Sequence, residues 1–189
     1  MIDPLLSTGF PLTLLGLARL LEVLDTTSPG PGRSAALSRY AETTQAELEV
    51  TEQLVGALYA NMGDPEMFKR LTLLYFAAAS FSETVRRLGK PQLAPGFLLH
   101  AHPTFGPELR ACASAAAARP HGAAREALFA RIDRAIDPFD ALGLLDRTRR
   151  DWYPAKAEDV IAAASKLEAS VEDIHRLLAR CGFQVGPTT

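Results

Sequence analysis

A Ser-Thr-Gly turn just before a leucine-rich segment is where the residue types of this chain first suggest chemistry. Ser7 and Thr8 are residue types favoured at helix N-caps, and Gly9 allows a close approach to the backbone. Pro11 is accepted in the first turn of a helix because its missing amide hydrogen is not needed there. The first amides of such a helix suit a phosphate, a carboxylate or a halide. We therefore expect an anion site at the amides of Thr8, Gly9 and Phe10.

Two histidines, His100 and His102, raise the question of a metal site. They lie two residues apart in a connection rich in proline and glycine. A catalytic zinc site needs a third ligand, which this stretch does not offer. The sequence therefore predicts no metal site, and we expect these histidines to cap the loop or to lie at the surface.

Arginines near residue 150 suggest a second place for an anion. The run R-T-R-R-D-W-Y-P covers residues 147–154. Guanidinium groups bind phosphate bidentately, so this run suits the phosphate of a carrier-protein arm. The commoner meaning of such a run is the solvated end of a short helix. Trp152 and Tyr153 are expected to anchor the connection onto the helical body.

The helix that must position the Ser-Thr-Gly turn begins near Thr8 and is apolar on almost every side. A helix of this kind is normally buried inside a large protein or a membrane. It is too short to cross a bilayer, which takes about 20 residues. Asp3 also stands where a secretory signal would carry a positive charge. Its apolar residues are Leu12, Leu14, Leu15, Leu17, Leu20, Leu21, Val23 and Leu24.

The rest of the chain repeats apolar residues at the helical spacing of three and four, and no segment alternates as a strand does. A loop rich in proline and glycine is expected at 26–33, and Asp64 with Pro65 should begin a helix. Glu42, Glu47, Glu49 and Glu52 are expected on a solvated face. These patterns predict an all-α bundle of about six helices. The later helices are expected at residues 34–62, 65–88, 107–119, 123–136 and 157–181.

An aromatic cluster in the helix at 65–88 is the second candidate site. Tyr75, Phe76 and Phe81 are separated by small residues and lie on more than one face. One interpretation is the wall of a hydrophobic substrate cavity, with Ser80, Ser82 or Glu83 as polar contacts. The other interpretation is ordinary packing between helices.

The stretch D-P-L-L-S-T-G-F-P-L-T-L-L-G at residues 3–16 resembles the end of the flavin-binding part of flavin-dependent halogenases, the tryptophan-halogenase-like group of flavin monooxygenases. The resemblance continues in L-Y-F-A-A-A-S-F-S-E-T (74–84), F-L-L-H (97–100) and D-P-F-D-A-L-G-L-L-D (137–146). It implies halide and flavin contacts at Ser7, Thr8 and Gly9. It also implies an aromatic, polyketide-like or carrier-bound substrate, with Phe10 joining the aromatic cluster as a pocket residue.

The chain departs from this family in ways that shape the expectation. The G-x-G-x-x-G and W-x-W-x-I-P signatures are absent, and the family's catalytic lysine falls outside the matched stretches. We therefore expect a truncated, C-terminal part of a larger flavoprotein. Residues 1–25 would end the flavin-binding region, and 34–182 would form a helical C-terminal domain. FAD would bind only with the missing region or a complementary chain, so the chain alone should be inactive, and no catalytic residue is assigned.

Composition limits the alternatives. The chain has 189 residues, of which 48% are hydrophobic, a formal charge of -2 and a pI near 6.1. This balance gives no reason to expect nucleic acid as a partner, and no membrane segment is predicted. Cys112 and Cys181 are expected as buried free thiols, with a disulfide left as the alternative, and the cytoplasm is the default location. The alternative function is a stand-alone helical protein-interaction module without catalytic activity.

Overall fold

The computed structural model describes residues 6–148 and 156–183, which form seven α-helices and no strand. The all-α fold class is confirmed. Three short 3-10 turns lie in the connections, at Pro91–Leu93, Phe97–Leu99 and Asp137–Phe139. The helices are α1 (Gly9–Thr26), α2 (Pro31–Ala60), α3 (Pro65–Arg87), α4 (Phe105–Ala117), α5 (Gly122–Ile136), α6 (Ala157–Ala162) and α7 (Val171–Arg180).

The core forms around α3, which packs against α2, α5 and the turn at Phe97–Leu99. Small side chains at Ala77 and Ala78 are fully buried and let neighbouring elements approach closely. Leu71, Leu74 and Val85 are also fully buried. Helix α4 covers α2, so these four helices enclose one apolar core.

The turn between α2 and α3 is fixed by polar side chains. Asp64 is the N-cap of α3, as predicted, and its Oδ1 accepts a hydrogen bond from the Met67 amide at 3.2 Å. The Asn61 side chain donates to the Ala57 carbonyl at 2.8 Å and to the Ala116 carbonyl at 2.9 Å. These bonds join the end of α2 to the end of α4.

Two predicted boundaries were wrong. The helix expected at 157–181 is two helices, because the Ser170 hydroxyl caps α7 by accepting from the Asp173 amide at 3.1 Å, and Glu168 has a positive φ of 49°. The loop expected at 26–33 is also shorter. Helix α2 begins at Pro31, because proline at the first helical position needs no amide partner.

Helix α1 is covered on one side only. Leu12 and Gly16 are buried against the body, and a Cβ added at Gly16 would lie 3.7 Å from the Tyr40 hydroxyl. A row of large apolar residues on another side is 42% to 73% exposed. We call this row the α1 stripe: Phe10, Leu14, Leu17, Leu21 and Leu24. None of the described helices is both long and apolar enough to cross a membrane.

Candidate functional site

The predicted anion turn lies at the start of α1. Thr8 occupies the N-cap position and is buried, but its Oγ1 makes no capping bond and has no hydrogen-bond partner among the described residues. The Phe10 amide donates to the Ser7 carbonyl at 3.2 Å, which commits that amide to the turn itself. Ser7 has a positive φ of 52°. Halide and flavin contacts at Ser7, Thr8 and Gly9 stay a prediction.

The four predicted pocket aromatics do not form one cluster. Phe10 belongs to the exposed α1 stripe, whereas Tyr75 and Phe81 are buried in the core. Tyr75 meets Phe76 edge-on at 5.4 Å between ring centroids, and Phe81 meets Phe139 in the same way at 5.2 Å. None of these aromatics lines the cleft described below. Their role in a substrate pocket stays a prediction.

A buried ion pair joins α1 to α2. Both terminal nitrogens of Arg19 donate to the Glu47 carboxylate, one of them at 2.5 Å from Oε1. The Phe97 amide donates to the same Oε1 at 2.8 Å. Glu47 is completely inaccessible to solvent. One carboxylate therefore holds α1, α2 and the segment that follows α3.

The expectation that Glu47 lies on a solvated face was wrong. Glu47 stands three and four residues before Val50 and Thr51, and seven before Leu54, all of them buried. The helical period that identified the apolar face therefore also places Glu47 on it. A charged residue on such a face signals a buried partner, because an unpaired buried charge is very costly.

The segment from Gly96 to His100 has an unusual backbone. Gly96, Leu98 and Leu99 have positive φ angles of 75°, 52° and 56°. A Cβ at Gly96 would lie 2.1 Å from the His100 ring, and one at Gly106 would lie 2.1 Å from the His100 carbonyl oxygen. Leucine rarely adopts this conformation, so the surrounding packing must hold the segment in place.

The two loop histidines have different roles. His100 is buried beside Gly96, and its Nδ1 lacks a hydrogen-bond partner. Burial lowers the pKa of His100, and the charge of Glu47 partly opposes that change. The expected loop or surface role is therefore wrong for this residue. His102 does cap the loop: its Nδ1 accepts from the Thr104 and Phe105 amides, each at 3.3 Å. Burial also lowers the pKa of His102.

An open cleft of about 420 Å³ lies between α1 and the segment after α3. We call it the α1–loop cleft. Arg19 and Glu22 lie on its α1 side, Arg86 comes from the end of α3, and His100 is part of the opposite wall. The remaining residues that line it are Leu15, Ala18, Thr43, Pro91, Ala94, Pro95, Gly96 and Ala101.

The remaining candidates are the arginine run near residue 150 and the two cysteines. Arg147 pairs with Asp133 at 2.6 Å, whereas residues 149–154 of the arginine and aromatic run lie outside the described residues. Cys112 is a buried free thiol whose pKa burial raises to about 11, which makes it a poor nucleophile. Cys181 is free, but the expectation that it is buried was wrong, because it lies at the exposed C-cap of α7.

Within residues 6–148 and 156–183, no three His, Cys, Asp or Glu side chains come together as a metal site would require. In the α1–loop cleft, two arginines, a glutamate and a buried histidine line one open volume. Comparison with known proteins adds no assignment: no protein-family model, curated protein or solved structure matches this chain.

Proposed function

We propose that this chain is the C-terminal, substrate-facing helical portion of an FAD-dependent halogenase-like or monooxygenase-like oxidoreductase. In this proposal α1 joins the helical body to a flavin-binding region. The resemblance of residues 3–16 to the end of that region supplies the family. The α1 stripe supplies the physical support, because it is a large apolar surface on the segment that carries the resemblance.

The uncovered α1 stripe is the observation that carries the proposal. Its five residues follow one another at spacings of four, three, four and three. This spacing keeps apolar side chains in one line along a helix, as in a seam that packs against another element. Large contiguous apolar patches on a protein surface mark interaction sites. The stripe therefore fits a helix whose second side is covered by another protein region.

The contacts that attach α1 to the helical body support the same assignment. The Arg19–Glu47 pair and the buried Leu12 and Gly16 hold one side of the helix on the body. The other side and the Ser-Thr-Gly turn at its N-terminus then have a fixed position. A flavin-binding region that covers the stripe would lie beside that turn.

The residues at the turn suit the groups that the family uses. Thr8 Oγ1 is a buried polar atom without a partner at a helix N-terminus, where an anion is favoured. In the proposal Ser7, Thr8 and Gly9 contact halide and flavin, with the flavin-binding region completing the site. Reduced FAD supplies the activation of oxygen when it is bound there. This chain contributes the walls of a substrate pocket and is inactive by itself.

Reconstitution tests the proposal. The full chain is co-expressed with the flavin-binding region of a tryptophan-halogenase-like enzyme, and complex formation and FAD retention are measured. We expect a complex that retains FAD, and we expect Leu17→Lys with Leu21→Lys to abolish it. Leu48→Lys, at an exposed leucine of α2, is the matched control and should leave the complex intact. Absence of a complex, or equal loss in the control, overturns the proposal.

The second candidate is a stand-alone helical interaction module. The heptad-like spacing of the α1 stripe favours it, since that spacing suits an apolar seam on a partner helix. Capture of a helical partner through Leu17 and Leu21, without any effect of FAD or halide, would favour this candidate over the first.

A further inference from the structure

We propose that the α1–loop cleft binds a small monoanionic carboxylate that has an apolar body. The cleft lies on a different side of α1 from the stripe. Leu15, Ala18 and Glu22 line it, whereas Leu14, Leu17 and Leu21 are exposed to solvent. At about 100° per residue, the two sets point well apart around the helix. A ligand in the cleft and a partner on the stripe would therefore contact different sides of α1.

Arg86 supplies the hydrogen-bond donors that a ligand in the cleft can reach. Arg19 gives both terminal nitrogens to Glu47, and its Nε is buried. Arg86 uses Nη2 to donate to the Ala94 carbonyl at 3.0 Å, which holds its guanidinium at the cleft. A guanidinium has five N–H donors and matches the two oxygens of a carboxylate. A carboxylate is thus an acceptor that suits Arg86.

The charges favour one negative charge on the ligand. Glu47 already compensates Arg19, so Arg86 provides the positive charge for a bound anion. Glu22 is exposed and also lines the cleft, where it offsets part of that positive charge, so a second negative charge on the ligand would not be balanced by these groups. A monoanionic carboxylate is therefore preferred to a phosphate dianion.

Part of the remaining wall suits an apolar ligand body. Leu15, Ala18 and Pro95 contribute hydrocarbon surface, and the volume of about 420 Å³ suits a small molecule. The wall at Gly96–His100 is held in one backbone conformation by the close packing of Gly96 on His100. A wall that is already ordered loses little conformational entropy when a ligand binds.

Benzoate titration of the full chain tests the proposal. The readouts are calorimetry and the amide NMR signals of residues 92–101. We expect saturable binding with a Kd on the order of 1 mM, which suits a ligand of this size. Arg86→Gln should weaken binding at least about tenfold, the effect of losing one charged hydrogen-bond contact. Arg87→Gln is the matched control, because Arg87 is the next residue of the helix and pairs with Glu83 away from the cleft.

A second pair of variants separates filling of the cleft from loss of charge. Ala18→Phe should abolish benzoate binding by occupying the cleft, while Ala130→Phe, at an exposed alanine of α5, should not. Circular dichroism confirms that each variant is folded. Benzyl alcohol and inorganic phosphate should both bind at least about tenfold more weakly than benzoate, since benzyl alcohol lacks the carboxylate and phosphate lacks the apolar body.

Several outcomes overturn the proposal. These are the absence of saturable binding, equal weakening by Arg87→Gln, equal weakening by Ala130→Phe, and equal affinity for phosphate. The measurement needs no flavin-binding region. If benzoate does not bind, the proposal that a flavin-binding region docks on the α1 stripe is unaffected. If docking fails, the proposal that the cleft binds a carboxylate is unaffected.

Discussion

Arg19 of α1 and Glu47 of α2 form a bidentate ion pair whose carboxylate is fully removed from solvent, although the two residues are 28 positions apart in the chain. Breaking a buried pair by removing one partner leaves an uncompensated charge in the interior. The Phe97 amide would also lose its acceptor. The pair is therefore the most sensitive link between α1 and the helical body.

Glu47→Ala should lower the free energy of unfolding by about 3–5 kcal/mol, measured by urea denaturation. Glu52→Ala, at an exposed position of the same helix, should change it by less than about 0.5 kcal/mol. The double replacement Arg19→Leu with Glu47→Leu should recover much of the loss, because it leaves no buried charge. A loss at Glu47 no larger than at Glu52 would contradict the buried pair.

Gly89 and Gly96 have nearly the same φ, so replacing each by alanine separates the cost of backbone strain from the cost of steric overlap. Gly96 has a φ of 75° and its added Cβ meets the His100 ring, whereas Gly89 has a φ of 76° and open space around it. Gly89→Ala should cost about 1–2 kcal/mol, the penalty for a left-handed alanine. Gly96→Ala should cost at least about 1 kcal/mol more because of the overlap. Thermal denaturation checks this, and equal losses would show that His100 does not pack on Gly96.

Stability should fall as the pH drops below about 6.5, the ordinary pKa of histidine. Burial lowers the pKa values of His100 and His102 in the folded protein. As pH falls, the unfolded chain therefore takes up protons before the folded protein does. The contribution of the two neutral histidines to the free energy of unfolding is complete above the ordinary pKa of histidine and is lost as pH falls through the pKa values of the folded protein. The measurement is Tm at pH 7.5 and pH 5.5.

His102→Asn should reduce this loss of Tm, because an amide oxygen can replace Nδ1 as the acceptor for Thr104 and Phe105 without titrating. His121→Asn changes an exposed histidine and is the control. An unchanged pH response in His102→Asn would exclude His102 as a contributor.

Asp140 organises the chain after α5. Its carboxylate accepts hydrogen bonds from the amides of Leu142 at 3.2 Å, Leu144 at 2.8 Å and Leu145 at 3.0 Å. Asp140→Ala should cost about 2–3 kcal/mol, because three partly buried amides lose a charged acceptor. Asp140→Asn keeps one acceptor oxygen and should cost less. Denaturation of both variants tests the order, and equal stability of Asp140→Ala and the parent chain would contradict it.

The exposed α1 stripe should make the isolated chain self-associate. Apolar rows of this kind bury one another when no partner covers them. Light scattering should give a mass above 20.4 kDa at high concentration. Leu17→Lys with Leu21→Lys should restore the monomer, and Leu48→Lys should not. A monomer at all concentrations would show that the stripe does not drive association.

The sequence predicted features that local patterns determine. Spacings of three and four located most helices, and the Asp64-Pro65 pair marked the start of α3 because capping involves neighbouring residues. Glu47 was misplaced because its partners Arg19 and Phe97 are distant in the chain. The positive φ angles of Leu98 and Leu99 have no sequence signal, since packing around them imposes the conformation.

The shared carboxylate of Glu47 has a mechanical consequence. Because Oε1 accepts from both Arg19 and the Phe97 amide, α1 cannot slide along α2 without pulling on the backbone that leads to His100. A partner bound to the α1 stripe would therefore also restrict the motion of the backbone from Phe97 to His100. The stripe and this segment are coupled mechanically through the carboxylate of Glu47.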